Sequence, residues 1–104
     1  MKKILELLGL ANRAGKVRSG EEFSIKAVKA GDARLAFMDE GASALAKRTF
    51  EKAIEGSGVP LIYVPEGALG IAIGKPGRMA AVVTDEGFAK KMISIHGDKI
   101  PGRH

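Results

Sequence analysis

LAFMDEGASALAKRTFEKAIEGSGVPLIYV, Leu35 to Val64, is the stretch on which the fold turns. It opens with a short apolar run, Leu35-Ala36-Phe37-Met38, that reads as a buried strand. Asp39-Glu40-Gly41 turns the chain, and Ser43 is placed as the N-cap of a helix running through Ile54. Ala46, Phe50, Ala53 and Ile54 recur at helical spacing and give that helix its apolar stripe. Ser57-Gly58 ends it, and Val59-Pro60 leads into a second apolar strand, Leu61 to Val64. A strand, a helix and a strand in succession mark an α/β chain.

The same alternation extends in both directions. Towards the N-terminus, Ile4, Leu5, Leu7, Leu8 and Ala11 define a first helix that Gly15 ends, followed by a short extended piece, Lys16-Val17-Arg18. Gly20-Glu21-Glu22 opens a second helix, with Phe23, Ala27 and Val28 expected on its buried side and Gly31 as its stop. Two carboxylates in its first turn suit the positive end of the helix dipole. Towards the C-terminus, Glu66 to Ile73 fits a short helix, Met79 to Val83 a third apolar strand, and Asp85 the cap of a last helix holding Phe88, Ala89, Met92 and Ile93. The pattern predicts a three-layer α/β/α sandwich around a mixed or parallel sheet. Residues 1–96 form the expected domain, and 97–104, GDKIPGRH, which lacks any period, the expected loose tail.

At 104 residues the chain is long enough for one core with about two-thirds of its unfolded surface buried. With four Phe, one Tyr and no Trp, that core is built from Leu, Ile, Val and Ala. Absence of cysteine excludes disulfides and thiolate metal sites and agrees with a reducing cytoplasm, where the chain is expected to act. The opening MKKILELLGLA resembles a signal peptide only superficially: Glu6 interrupts its apolar run and Arg13 stands where a small-residue cleavage site belongs. No membrane span or membrane partner is expected. Lys and Arg number 17 against 12 Asp and Glu, a net charge of +5. A solvated basic surface accounts for this excess, and so does a polyanionic partner such as nucleic acid.

Catalytic constellations are missing. His96 and His104 are the only histidines, both in or beside the expected tail, and no HExxH or GxSxG occurs. Asp39-Glu40 reads as a solvated turn, Ser43 as a helix cap before a nucleophile, and Asp85-Glu86 as helix-dipole chemistry. No catalytic residue, cofactor or metal is expected. GALGIAIGKPGR, Gly67 to Arg78, gathers glycines and a lysine as a phosphate loop does. Yet only three residues separate Gly70 from Gly74, where that loop needs four, and Pro76 stands where its Ser or Thr belongs. Pro76 also removes an N–H donor.

Arg13, Lys16, Arg18, Lys26 and Lys29 crowd the first helix-turn-helix segment, with Lys26 and Lys29 on one face of the second helix. A glycine at its start, Gly20, lets backbone amides approach a phosphate; it equally suits a tight turn. Glu21 and Glu22 oppose simple phosphate capture and can instead accept from base amino groups.

LLGLANRAGKVRSGEEFSIKAVKAG, Leu7 to Gly31, resembles the opening of the kink-turn-binding ribosomal protein family, the group of archaeal large-subunit protein seven-Ae and eukaryotic thirty-e, and within it a small bacterial YlxQ-type branch. FMDEGASALAKRTFEKA, VPLIYVPEGALGIAIGKPGR and AAVVTDEGFAKKM continue the likeness, which spans Ile4 to Ile93. It implies a thirty-e-like α/β/α sandwich with a mixed four-stranded sheet, the fourth strand lying around Val17.

It also implies two RNA-gripping elements: the start of the second helix, here Gly20, Glu21, Glu22, Phe23 and Lys26, and the loop Gly74-Lys75-Pro76-Gly77-Arg78. Lys75 and Arg78 then meet phosphates of a sharply bent RNA. Lys16, Arg18, Lys29 and Ser43 complete the expected RNA-binding set. Archaeal members begin the helix Gly-x-Asn-Glu and read tandem sheared G·A pairs; Glu22 and Phe23 stand at those positions here. Pro65-Glu66-Gly67 also replaces a basic residue before the fourth helix. The partner so implied is structured RNA, ribosomal or otherwise kink-turn-containing, with possible ribosome association and a monomeric chain. A protein–protein adaptor and a substrate-binding module of an RNA-modifying enzyme are the alternatives.

Overall fold

The computed structural model describes residues 1–97 in the order α1 (Lys2–Arg13), β1 (Val17–Ser19), α2 (Glu21–Lys29), β2 (Leu35–Asp39), α3 (Ala44–Ile54), β3 (Leu61–Val64), α4 (Ala68–Ile73), β4 (Ala80–Val83) and α5 (Glu86–Gly97). Of the expected tail, Gly97 closes α5, and residues 98–104 lie outside the described residues. The four strands form one sheet in the order β1-β4-β2-β3. β2 and β3 are parallel, while β4 runs antiparallel to both β1 and β2, so the sheet is mixed. The extended piece around Val17 is the fourth strand.

Period-two alternation along β2 assigns the two layers. Leu35 and Phe37 pack with Leu8 of α1, Leu69 of α4 and Met92 of α5. Ala36 and Met38 pack on the opposite face with Val28 of α2 and Phe50 of α3. A strand covered on both faces needs apolar residues at every position, which is why LAFM is uninterrupted. Helix ends follow the sequence signals. Ser43 Oγ accepts from the Ala46 amide at 3.0 Å, and Asp85 Oδ2 from the Phe88 amide at 2.9 Å. α1 and α2 each close on a glycine, with paired bonds such as Gly31 N to Val28 O and Asp32 N to Ala27 O. The helix expected from Glu66 begins at Ala68, because Gly67 takes a left-handed conformation (φ 82°, ψ −15°) as its N-cap.

The expectation for Asp39 is overturned. Asp39 is not part of a solvated turn: it ends β2 on the face that Leu35 and Phe37 occupy, and none of its surface is exposed. Its Oδ1 accepts from the amides of Gly41 at 2.7 Å and Gly67 at 3.0 Å, and its Oδ2 from Leu69 at 3.2 Å. A buried carboxylate thus satisfies amides that the start of α4 leaves unpaired. Glu40 does face solvent and pairs with Lys47 at 3.1 Å.

Candidate nucleic-acid interface

Three backbone bonds mark the end of the sheet at which the expected elements lie. The Gly20 amide donates to Ala80 O, that of Asp39 to Met79 O and that of Glu40 to Val64 O, each at 2.8 Å. The loops leading into α2, α3, α4 and β4 therefore all emerge together.

Gly20 is the hinge between β1 and α2. Its φ of 94° and ψ of 146° lie in a region that is essentially glycine-only. Since its N–H is spent inside the sheet, Gly20 serves this backbone turn first and offers no amide to a phosphate. The first helical bond, Ser24 N to Gly20 O at 2.9 Å, leaves the amides of Glu21, Glu22 and Phe23 ahead of it without side-chain caps. Phe23 differs from its expected burial, with 60% of its surface exposed. The buried stripe of α2 is Ser24, Ala27 and Val28, and the Ser24 hydroxyl donates to Arg18 O at 3.3 Å. Phe23 stands at the margin of that stripe, in the helix's first turn.

The glycines of GALGIAIGKPGR are explained by the loop's own packing. Gly74 closes α4 in the left-handed region, with Lys75 N bonded to Gly70 O at 2.8 Å. Pro76 and Gly77, the latter at φ 90°, fill the middle of a turn closed by Arg78 N to Lys75 O at 3.2 Å, the pattern of a type II turn. A Cβ on Gly70 would lie 2.7 Å from Lys75 O, so only glycine lets this turn sit on α4. The turn holds Lys75, Pro76 and Gly77 out in solvent.

Arg78 joins the two elements. Its Nη1 donates to Ser19 O at 3.3 Å and lies 2.7 Å from where a Gly20 Cβ would stand. Val17, Arg18, Ser19, Phe23, Lys75 and Arg78 line a cleft of about 210 Å³ between them. Among the described residues the ion pairs are Lys47–Glu40 and Lys90–Glu86, so none of the cleft's cations is neutralised by a carboxylate.

The remaining candidates are more scattered. Lys26 is exposed one turn beyond Glu22 and Phe23, on their side of α2. Ser43 emerges at the same sheet end, its oxygen already engaged as a cap. Lys29 lies in the last turn of α2, nine residues or about 13 Å beyond Gly20 at 1.5 Å per residue. Lys16 precedes β1 at the opposite end of the sheet, where its carbonyl accepts from Thr84 N at 2.9 Å. Ser19 was not singled out in the sequence, because a carbonyl's role leaves no side-chain signal. Among the described residues no three His, Cys, Asp or Glu side chains gather as a metal site, and no helix is long and apolar enough to cross a membrane.

A mixed four-stranded α/β/α sandwich of this kind has known counterparts. Residues 2–93 match the model of the ribosomal protein L7Ae/L30e/S12e/Gadd45 family, and the chain belongs to that family. It is 43% identical over 90 residues to the RNA-binding protein YlxQ of Bacillus subtilis (strain 168), covering 86% of this chain and 90% of that protein. To the RNA-binding protein YlxQ of Enterococcus faecium it is 36% identical, covering 86% of each. A solved protein of unknown function from Bacillus halodurans superposes with a TM-score of 0.84 at 35% identity, covering 89% of this chain and 95% of that one. The Giardia lamblia 15.5kD RNA binding protein shares the fold, with a TM-score of 0.72 at 21% identity over 88% and 82% of the two chains.

Proposed function

We propose that this protein is a non-catalytic RNA-binding protein of the cytoplasm. It acts as a monomer on structured RNA, ribosomal or otherwise kink-turn-containing, through the start of α2 and the Lys75–Arg78 loop. The observation that carries this reading is the bond from Arg78 to Ser19, which holds both elements around one cleft whose cations have no carboxylate partner. Unpaired cations flanking an open groove suit phosphates, which supply most of the affinity in nucleic-acid binding. The RNA-binding names of the YlxQ relatives support the same reading.

Glu22 and Phe23 set its selectivity. A carboxylate accepts but cannot donate to a sheared pair, and a phenyl ring does neither. Gel shifts with a kink-turn RNA and a G·A-disrupted control test this: both bind in a salt-dependent manner, and the kink-turn is favoured by less than about a hundredfold, or 2.7 kcal/mol. Absence of binding to either RNA refutes the reading. One observation favours a protein–protein adaptor instead, the apolar groove between α1 and α4 lined by Leu5, Leu10, Ala68 and Ile71. Crosslinking in cells separates the two, since an adaptor recovers proteins without a structured RNA.

A further inference from the structure

We infer that Phe23 is a stacking platform for one unpaired base of the bound RNA, with the cations of its cleft holding the phosphates on either side. The inference rests on the RNA-binding reading above and adds the conformation the RNA presents. Phe37 and Phe50 are wholly buried and Phe88 packs against the core, so Phe23, 60% exposed, is the phenylalanine that contributes least to packing. Exposed apolar residues are ordinary one at a time, and Leu10, Leu45 and Ile71 are others here. Phe23 differs in kind and in place. It carries a flat π-face, and it lines a cleft with Arg18, Lys75 and Arg78.

That cleft decides between occupants. At about 210 Å³ it is smaller than the roughly 300 Å³ at which pockets for drug-sized ligands begin, and it suits a single flat ring. The Arg18 guanidinium is already bonded to the carbonyls of Gly15 and Val17, so an apolar protein side chain would cover the phenyl ring but strip water from Lys75 and Arg78 without returning a hydrogen bond, which is costly. A nucleotide brings both complements at once: a base to stack on the ring and phosphates for the guanidinium and ammonium groups. The base must come out of its helix to reach the ring, so the RNA presents a bulged, looped or splayed nucleotide. A paired base has its faces covered by its neighbours and cannot engage Phe23.

The test uses the full chain with RNA hairpins that are fully paired or carry a short bulge, the latter also made with an abasic site at each bulged position in turn. Because the protein contains no Trp, Phe23→Trp introduces a lone indole reporter. Bulged RNA is expected to quench that indole while paired RNA does not. Phe23→Ala is expected to weaken binding of bulged RNA about tenfold or more, with an unchanged salt slope because no charge is lost. One abasic substitution should remove the difference between the parent and Phe23→Ala. A Phe23→Ala protein that binds bulged RNA like the parent, or an indole that RNA leaves unquenched, overturns the inference while RNA binding stands. Failure of the parent to bind any of these RNAs overturns both.

Discussion

Arg78 Nη1 donates to the carbonyl oxygen of Ser19 across 3.3 Å, so the end of β1 and the residue after the Pro76-Gly77 turn are held as one surface. The bond is part-buried and its net worth is about 1 kcal/mol, small beside the stability of a domain. Arg78→Ala should therefore unfold at only slightly lower urea concentration than the parent. Its RNA affinity should fall much further, with the log–log salt slope reduced by about 0.7 to 0.9 for the lost phosphate contact. Arg78→Lys keeps the charge but not the planar fork, and should retain most of the salt slope while losing part of the affinity. Filter binding over a salt series, with urea melts alongside, measures both.

Gly20 and Arg78 constrain one another. Any side chain at position 20 has to adopt φ 94° and ψ 146°, and its Cβ would stand 2.7 Å from the Arg78 guanidinium. Gly20→Ala is accordingly expected to destabilise the fold by about 1–3 kcal/mol. Pairing it with Arg78→Ala relieves the contact but not the backbone strain, so the two losses should be less than additive. A double-mutant cycle by urea denaturation reads the coupling; strict additivity would show that the close approach costs nothing.

Asp39 joins three chain segments with one carboxylate, accepting from Gly41, Gly67 and Leu69. Asp39→Ala strands these amides and leaves a void at a buried site, an expected loss of about 2–4 kcal/mol. Asp39→Asn keeps one acceptor oxygen for the Gly41 and Gly67 amides but turns an NH₂ group towards Leu69. Its cost should be clearly smaller. Thermal and urea unfolding of the two variants gives the order, and equal losses would contradict the capping role.

Particular residues show where sequence reading succeeded and where it stopped. The run LAFM and the spacing of Phe50 and Ile54 had one physical solution each, a strand covered on both faces and a helix with a single buried stripe. Ser43 and Asp85 were legible as caps because the first turn of a helix asks for such side chains. Asp39 was misread because its partners at Gly67 and Leu69 are remote in sequence, and local polarity resembled a turn. Phe23 was misread because positions 23 and 27 share helical spacing, while the sheet supports only the stripe through Ser24, Ala27 and Val28. The resemblance implied the start of α2 and the Lys75–Arg78 loop as a pair, but the Arg78 bridge between them depends on a backbone carbonyl and had no signal to follow.

Tyr63, on edge strand β3, donates its hydroxyl hydrogen bond to the Glu51 carboxylate. Partial burial, that hydrogen bond, and the charges of Glu51 and Glu40 push its pKa from 10.0 up to about 12. The folded state holds the proton more tightly than the unfolded chain. This contribution to stability is complete below pH 10 and is lost as the pH rises towards about 12. Because Tyr63 is the sole tyrosine, phenolate absorbance during alkaline titration reports it directly. Glu51→Gln should bring the transition down towards 10, and a parent titrating at 10 would refute the assignment.

Lys16, Lys26 and Lys29 separate a specific interface from a generally basic surface. Lys26 shares the side of α2 that presents Glu22 and Phe23 and should contact phosphate. Lys16 lies on the far side of β1, four residues or about 13 Å from Gly20 at 3.3 Å per residue, and Lys29 is about as far along α2. Lys26, six residues or about 9 Å along α2, is nearer to Gly20 than either. Lys26→Ala should thus weaken binding to every RNA tested by a similar factor and reduce the salt slope by about 0.7 to 0.9. Lys16→Ala and Lys29→Ala should leave the slope within error of the parent, because an unengaged lysine releases no counterion on binding. Filter binding of the three variants across one salt series, with circular dichroism as the folding control, decides the matter. Equal slope losses at all three positions would mean that RNA lies along α2 and β1 rather than at the Gly20 end of the sheet, and would overturn the placement of the interface.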